Sequence, residues 1–277
     1  MKKVFVFFIG FLCSFLYNFS EVFAASPMEP NFEVKLLVKP EQVLDSKQKI
    51  HKEVLEHFQV HSDYERIQVQ FLDTASKDLS KEGWFARIRK KEFSKDFELT
   101  YKKRYPIQNG TIYDALEIAK KDGFDSKSEN YEAEVDWGFE KKTLSISNKK
   151  NYSAKGYGIL DLPNEQVAKK MLIEKLPGKM NKWLYANWGE KMLSNSHIYG
   201  PVLMKRYTGE TNGIKTNIEI WPVDNTGKVE EDYVIEVSFK ARDENIAKKQ
   251  RELLMNSLEK KGWFLPKDSL KTELIFQ

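Results

Sequence analysis

The chain has 277 residues, 41% hydrophobic and 31% charged, which is enough apolar material for a sizeable core and too much for a disordered chain. Its 45 basic and 41 acidic residues leave a net charge of only +4, which argues against blanket binding of nucleic acid or of an anionic membrane. A single cysteine excludes a disulfide framework within the chain.

Residues 1–24 read as a secretory signal peptide. Lys2 and Lys3 make a basic start, residues 4–19 are almost continuously apolar, and small residues at Ala24, Ala25 and Ser26 suit cleavage after Ala24. The run is short for a membrane span of about 20 residues. Cleavage removes Cys13, so thiol nucleophiles and Cys-ligated metals are excluded from the mature chain. The expected location is therefore periplasmic or secreted, with no membrane contact after cleavage. Residues 25–277 contain no linker-like stretch and are expected to form one domain.

Strand signals follow in order. Phe32-Glu33-Val34-Lys35-Leu36 alternates, placing Glu33 and Lys35 on one face, and Pro40 ends it. Residues 41–58 carry Val43, Ile50, Val54, Leu55 and Phe58 at helical spacing. Alternation returns at Ile67-Gln68-Val69-Gln70-Phe71. Residues 84–91 put Arg87 and Arg89 on one face. Residues 97–104 do the same for Glu98, Thr100, Lys102 and Arg104, and residues 131–137 for Glu132, Glu134 and Asp136. After a strand at 143–147, residues 164–194 read as helical. Strands at 202–207, 216–221 and 233–240 carry Arg206, Glu219, Glu236 and Lys240. A helix over 243–262 and a last strand at 272–276 complete the series.

The strands thus have one apolar and one charged face. An open antiparallel sheet with one wet side accounts for this. So does a closed barrel turned inside out, with a charged, water-filled lumen and its apolar faces packed outward on the helices. Such a lumen would set carboxylates, which suit Mg²⁺ or Mn²⁺, against Lys and Arg, which suit phosphate oxygens. Phosphoryl transfer needs both.

Several segments, taken in order, resemble the CYTH domain proteins, also called triphosphate tunnel metalloenzymes. Asn31-Phe32-Glu33-Val34-Lys35 is similar to that family's E-x-E-x-K strand. Phe71-Leu72-Asp73-Thr74, followed by Leu79, Gly83 and Arg87-Ile88-Arg89, is similar to its Y-x-D-T…L…G-x-x-x-R-I-R block. Glu98-Leu99-Thr100-Tyr101-Lys102 is similar to its L-T-x-K strand. The resemblance covers residues 31–276. It implies an α+β fold built on a closed antiparallel eight-stranded β-barrel, helices outside. It also implies Mg²⁺- or Mn²⁺-dependent hydrolysis of a triphosphate or polyphosphate, and it leaves open a tunnel that binds a polyanion without turnover.

Carried over by position, Glu33, Lys35 and Glu236 would be catalytic. Glu33 and Glu236 would be metal ligands, with Glu132, Glu134 and Glu219 as further acidic candidates and Asp224 as a rival to Glu219. Lys35, Arg87, Arg89, Lys102 and Arg206 would grip phosphates. Two positions depart from the pattern: Asn31 and Ser238 are neutral where the family has carboxylates, which weakens the expected metal binding. No G-x-S-x-G or phosphate-cradling glycine loop is present. His57 and His61 lack a third ligand at defined spacing and read as helix-end residues.

Overall fold

A computed structural model describes residues 25–107, 111–223 and 232–268. The expected leader at 1–24, the last strand expected at 272–276, and Asp224 lie outside the described residues.

The alternating segments form β1 (Asn31–Val38), β2 (Glu65–Thr74), β3 (Trp84–Lys91), β4 (Phe97–Ile107), β5 (Glu132–Trp137), β6 (Lys142–Tyr152), β7 (Ser196–Thr211), β8 (Ile214–Val223) and β9 (Asp232–Ala241). They pair in the order β1-β5-β6-β4-β3-β2-β7-β8-β9, and β9 pairs back onto β1, so the sheet closes on itself. A two-residue strand, β10 (Phe264–Leu265), hydrogen-bonds the end of β1 from outside the ring.

The closed, inside-out barrel is therefore the correct reading of the alternation, and the open sheet is not. Two details of the expectation change. Nine strands close the barrel rather than eight, and the ring is not wholly antiparallel, because β1 and β5 run parallel with Glu33 opposite Asp136. The cause lies in the connection before β5. Helix α4 (Ile112–Lys121) carries the chain across the outside, and β5 re-enters beside β1 in the same direction, filling the gap between β1 and β6.

The main core lies outside the barrel wall. Val34 and Leu36 of β1, Trp84, Ala86 and Ile88 of β3, Leu99 and Tyr101 of β4, and Val237 and Phe239 of β9 are buried together in it. The remaining helices are α1 (Pro40–Val43), α2 (Lys52–His57), α3 (Asp78–Lys81), α5 (Glu165–Glu174), α6 (Gly178–Asn181), α7 (Trp188–Ser194) and α8 (Glu244–Lys260). Ala168, Met171 and Leu172 of α5, Leu193 of α7 and Ala247, Leu254 and Leu258 of α8 cover that layer. The helix expected over 41–58 is split. Asp45 Oδ1 accepts from the backbone N–H groups of Lys47 and Lys49 and folds a turn between α1 and α2. The region 164–194 is likewise three helices, with Pro177 at the N-terminus of α6.

One tight turn aims the basic wall. Asp73, fully buried at the end of β2, accepts from the N–H groups of Thr74, Leu79 and Ser80 at 2.8–3.0 Å and from Ser80 Oγ at 2.6 Å. This ties down α3. Gly83 then turns the chain at φ +69°, where a Cβ would sit 2.8 Å from the Arg104 carbonyl oxygen, and β3 starts in register with β4. The register places Arg87 opposite Thr100 and Arg89 opposite Glu98, side chains inward.

Candidate functional site

The barrel encloses a cavity of about 660 Å³. Glu33, Lys35, Arg87, Arg89, Lys102, Glu134, Arg206, Glu219 and Glu236, the residues singled out from the sequence, all line it. Asp136 and Arg104 line it too and were not assigned roles from the sequence. Their signal was present: Asp136 alternates with Glu134, and Arg104 with Lys102. The cavity's exposed rim is formed by Asn31, Glu132, Lys149, Lys240 and Arg242.

The lumen is not charged throughout. Ile67, Val69 and Phe71 of β2, Met204 of β7 and Trp221 of β8 make a second buried apolar cluster, with Tyr199, Val202 and Val234 against it. Val69 stands opposite Arg89, Phe71 opposite Arg87 and Ile67 opposite Met204, so these side chains share the inner face with the arginines. Phe71 and Trp221 mark where the apolar filling meets the charged cavity. The cavity is therefore lined by charged side chains of β1, β3, β4 and β5 and by apolar side chains where β2 and β8 meet it.

The acidic wall is built by β1 and β5. Glu33, Glu134 and Asp136 each bring a carboxylate oxygen within 4.8 Å of the others. The parallel register causes this, setting Asn31 beside Glu134 and Glu33 beside Asp136. Lys35 Nζ bridges two of them, 2.6 Å from Glu33 Oε2 and 2.5 Å from Asp136 Oδ1. Ser145 Oγ donates to Asp136 Oδ2 at 2.5 Å, and Lys102 Nζ lies 3.6 Å from the same oxygen. Lys240 contacts Glu134 and stands 4.0 Å from Glu33. Burial alone would raise the Asp136 carboxyl, but Lys102 and Lys35 hold it well below the usual range. Burial works the same way on Glu33, where Lys35 outweighs it and brings the carboxyl to about 2. Glu134 moves the other way: burial, with Glu33 and Asp136 alongside, pushes it up.

Glu236 and Glu219 stand opposite each other on β9 and β8 and are not members of that three-carboxylate cluster. Arg206 donates to Glu219 Oε1 from Nε at 2.9 Å and Nη2 at 2.6 Å, and Trp221 Nε1 donates to Oε2 at 3.0 Å. Glu236 is buried and adds to the field that holds Lys35 protonated.

The basic wall runs along β3 and β4. Arg89 Nε donates to Glu98 at 3.0 Å, and Lys91 Nζ lies 3.0 Å from the same carboxylate. Arg87 is served less well. Its Nη2 reaches Thr100 Oγ1 at 3.1 Å and stays 3.7 Å from Glu98, while its Nε is buried with no partner. Burial first, and Arg89 second, depress the Arg87 guanidinium. Arginine keeps its proton at any ordinary pH, so its unpartnered Nε is a donor open to an anion. Lys102 is in the same position: burial, with Lys35 and Arg104 nearby, overrides Asp136 and lowers it to about 8. The arrangement can accept a multiply charged anion along β3 and β4.

The donor set of the acidic wall fits a hard divalent cation, since three carboxylate oxygens converge. Each of those carboxylates also has an ammonium on it in this structure.

Comparison with solved structures agrees on the fold. The chain is similar to a candidate adenylyl cyclase from Hippeastrum reported to have dominant triphosphatase activity, with 12% identity and a TM-score of 0.51 over 88% of this chain and 93% of that one. It is also similar to a candidate adenylate cyclase from Bacillus halodurans, with 14% identity and a TM-score of 0.52 over 90% of this chain and 98% of that one. The tunnel barrel implied by the resemblance to CYTH proteins is thus the fold observed. Neither a protein-family model nor a curated protein sequence matches the chain.

Proposed function

We propose that the tunnel binds the phosphate chain of a linear triphosphate or polyphosphate. One observation carries this reading: on the inner wall Arg87 has an unpartnered Nε and lies 3.7 Å from Glu98, and Lys102 lies 3.6 Å from Asp136, so neither has a closely bonded counter-anion. A phosphate chain supplies them. Arg89, Lys35 and Arg206 stand beside them to share its charge, and Arg suits non-bridging phosphate oxygens through paired N–H donors. The chain would enter past the rim at Lys240 and Arg242 and end against the apolar side at Phe71 and Trp221. A free terminal phosphate is then the group recognised deepest.

Hydrolysis is the second reading, supported by the convergence of Glu33, Glu134 and Asp136 opposite the basic wall and by the fold shared with a protein of triphosphatase activity. In that reading the three carboxylates would hold Mg²⁺ or Mn²⁺, which would neutralise phosphate charge. Arg87 and Lys102 would bind and orient the chain, and Glu236 would keep Lys35 protonated. The two readings separate in one experiment. Tripolyphosphate, ATP and thiamine triphosphate are each incubated with the protein in Mg²⁺, Mn²⁺ or EDTA, with thermal shift and phosphate release both recorded. Stabilisation without release supports binding alone; metal-dependent release lost in Glu33→Ala supports the hydrolase. Neither effect would sink both.

We also propose export, on residues 1–24. Among the described residues no helix is long and apolar enough to cross a membrane. Protein sequencing of the chain made in its own cells should begin at Ala25; a chain beginning at Met1 contradicts it.

A further inference from the structure

The acidic wall holds a residue that the phosphate reading uses only to mark the entrance. Lys240 lies at the end of β9, directly opposite Glu33 on β1. Its ammonium contacts Glu134 and stands 4.0 Å from Glu33, although the side chain as a whole is 56% exposed. The stem therefore runs along the rim and the charged tip turns inward to the carboxylates.

The charge count around it is even. Glu33, Glu134 and Asp136 bring three negative charges, and Lys35, Lys102 and Lys240 bring three ammoniums within 4.0 Å of them. Of the flanking inner positions, Asn31 opposite Glu134 and Ser238 opposite Lys35 add no charge, while Arg104 and Glu236 add one charge of each sign. A divalent cation bound by three carboxylates needs their uncompensated charge and their free oxygens. Here the charge is compensated, and Glu33 Oε2, Glu134 Oε2 and both Asp136 oxygens already carry a close partner. Lys35 and Lys102 are lodged in the wall with 27% and 18% of their side chains exposed, whereas Lys240 is at the mouth.

We infer that the Lys240 ammonium is the resident cation of the Glu33–Glu134–Asp136 cluster, competing with any divalent metal and letting the tunnel take a phosphate chain without one. The last clause rests on the phosphate reading above; the competition with metal does not. An ammonium is a workable substitute because it donates in three directions, so the same tip can hold Glu134 and reach a phosphate oxygen at the rim.

The test uses the mature chain as wild type, Lys240→Gln and Lys240→Arg. Mn²⁺ binding is measured directly from the loss of the free-ion electron paramagnetic resonance signal at pH 7, without phosphate. The expected result is weak Mn²⁺ binding by wild type and by Lys240→Arg, and binding at least about tenfold tighter by Lys240→Gln, the scale on which a neighbour of the metal ligands changes affinity. Equal or weaker Mn²⁺ binding by Lys240→Gln overturns the inference. Tripolyphosphate is then titrated by calorimetry in EDTA and in excess free Mg²⁺. Wild type should bind equally in both, and Lys240→Gln should need Mg²⁺. A wild type that binds only with Mg²⁺ overturns it as well. If tripolyphosphate binds neither protein under either condition, the phosphate reading fails, while the Mn²⁺ result still judges the role of Lys240. Melting temperatures check that the variants fold; Lys240 is half-exposed and packs in no core.

Discussion

Lys35 Nζ and Asp136 Oδ1 meet at 2.5 Å across the parallel seam of the barrel, between β1 and β5. That pair fixes the seam electrostatically and leaves Lys102 with only part of a counter-charge. Asp136→Asn removes the carboxylate that faces both lysines. Because Asp136 is nearly buried, stability should fall by about 3 kcal/mol, the scale for stripping one partner from a buried ion pair. Urea unfolding measures it, and a loss below about 0.5 kcal/mol would show that water screens the pair.

Arg87 separates folding from function. Its guanidinium is short of partners within the protein, so Arg87→Met should leave stability unchanged or raise it. The same change should weaken tripolyphosphate binding about 10- to 100-fold, the range for one or two charge-assisted hydrogen bonds. A large loss of stability with unchanged binding would mean that Arg87 is a structural residue.

Lys102 makes binding depend on pH. Its pKa in the free tunnel is lowered to about 8 from 10.5, by burial against the help of Asp136. A basic group depressed in the folded state disfavours folding while charged, and that penalty fades as pH rises from about 8 towards 10.5. A bound phosphate chain would restore the charge. Binding should therefore take up a proton between pH 8 and 9 and weaken as pH rises through that range. Calorimetry in two buffers of different ionisation enthalpy reads the proton uptake, which should vanish in Lys102→Met. Uptake that persists in the variant belongs to another group.

The proposed seating of the phosphate chain gives a specificity prediction. Phe71 and Trp221 line the cavity without charge, and on that reading the chain ends against them, so it needs one free phosphate end. Diadenosine triphosphate, esterified at both ends, should bind at least about tenfold more weakly than tripolyphosphate, the loss of one good ionic contact. Equal affinities, compared by competition, would mean that the chain threads past Phe71.

Much of this site could be read in the sequence because a strand's two-residue period is rigid. Glu33 with Lys35, Arg87 with Arg89, and Glu132 with Glu134 and Asp136 fall on one face whatever the tertiary structure. Which face is the inside was settled by closure, a long-range fact carried by the β1–β9 pairing. The importance of Asp136 was hidden for the same reason: only the parallel β1–β5 register brings it to Glu33 and Lys35, and nothing local marks a strand as parallel. The apolar part of the lumen was equally hidden, because Ile67-x-Val69-x-Phe71 reads as an ordinary core face until Arg87 and Arg89 are found beside it. Helix α4 did have a local signal, the reciprocal cap between Thr111 and Asp114, which alternation-based reading passes over.

The most direct test is calorimetric titration of tripolyphosphate into residues 25–277 in EDTA at pH 7, wild type beside Arg87→Met. A single site per chain, filled without metal and weakened at least about tenfold by the substitution, is the expected result. Absence of binding, or binding that the substitution leaves untouched, would contradict the assignment of the tunnel to a phosphate chain.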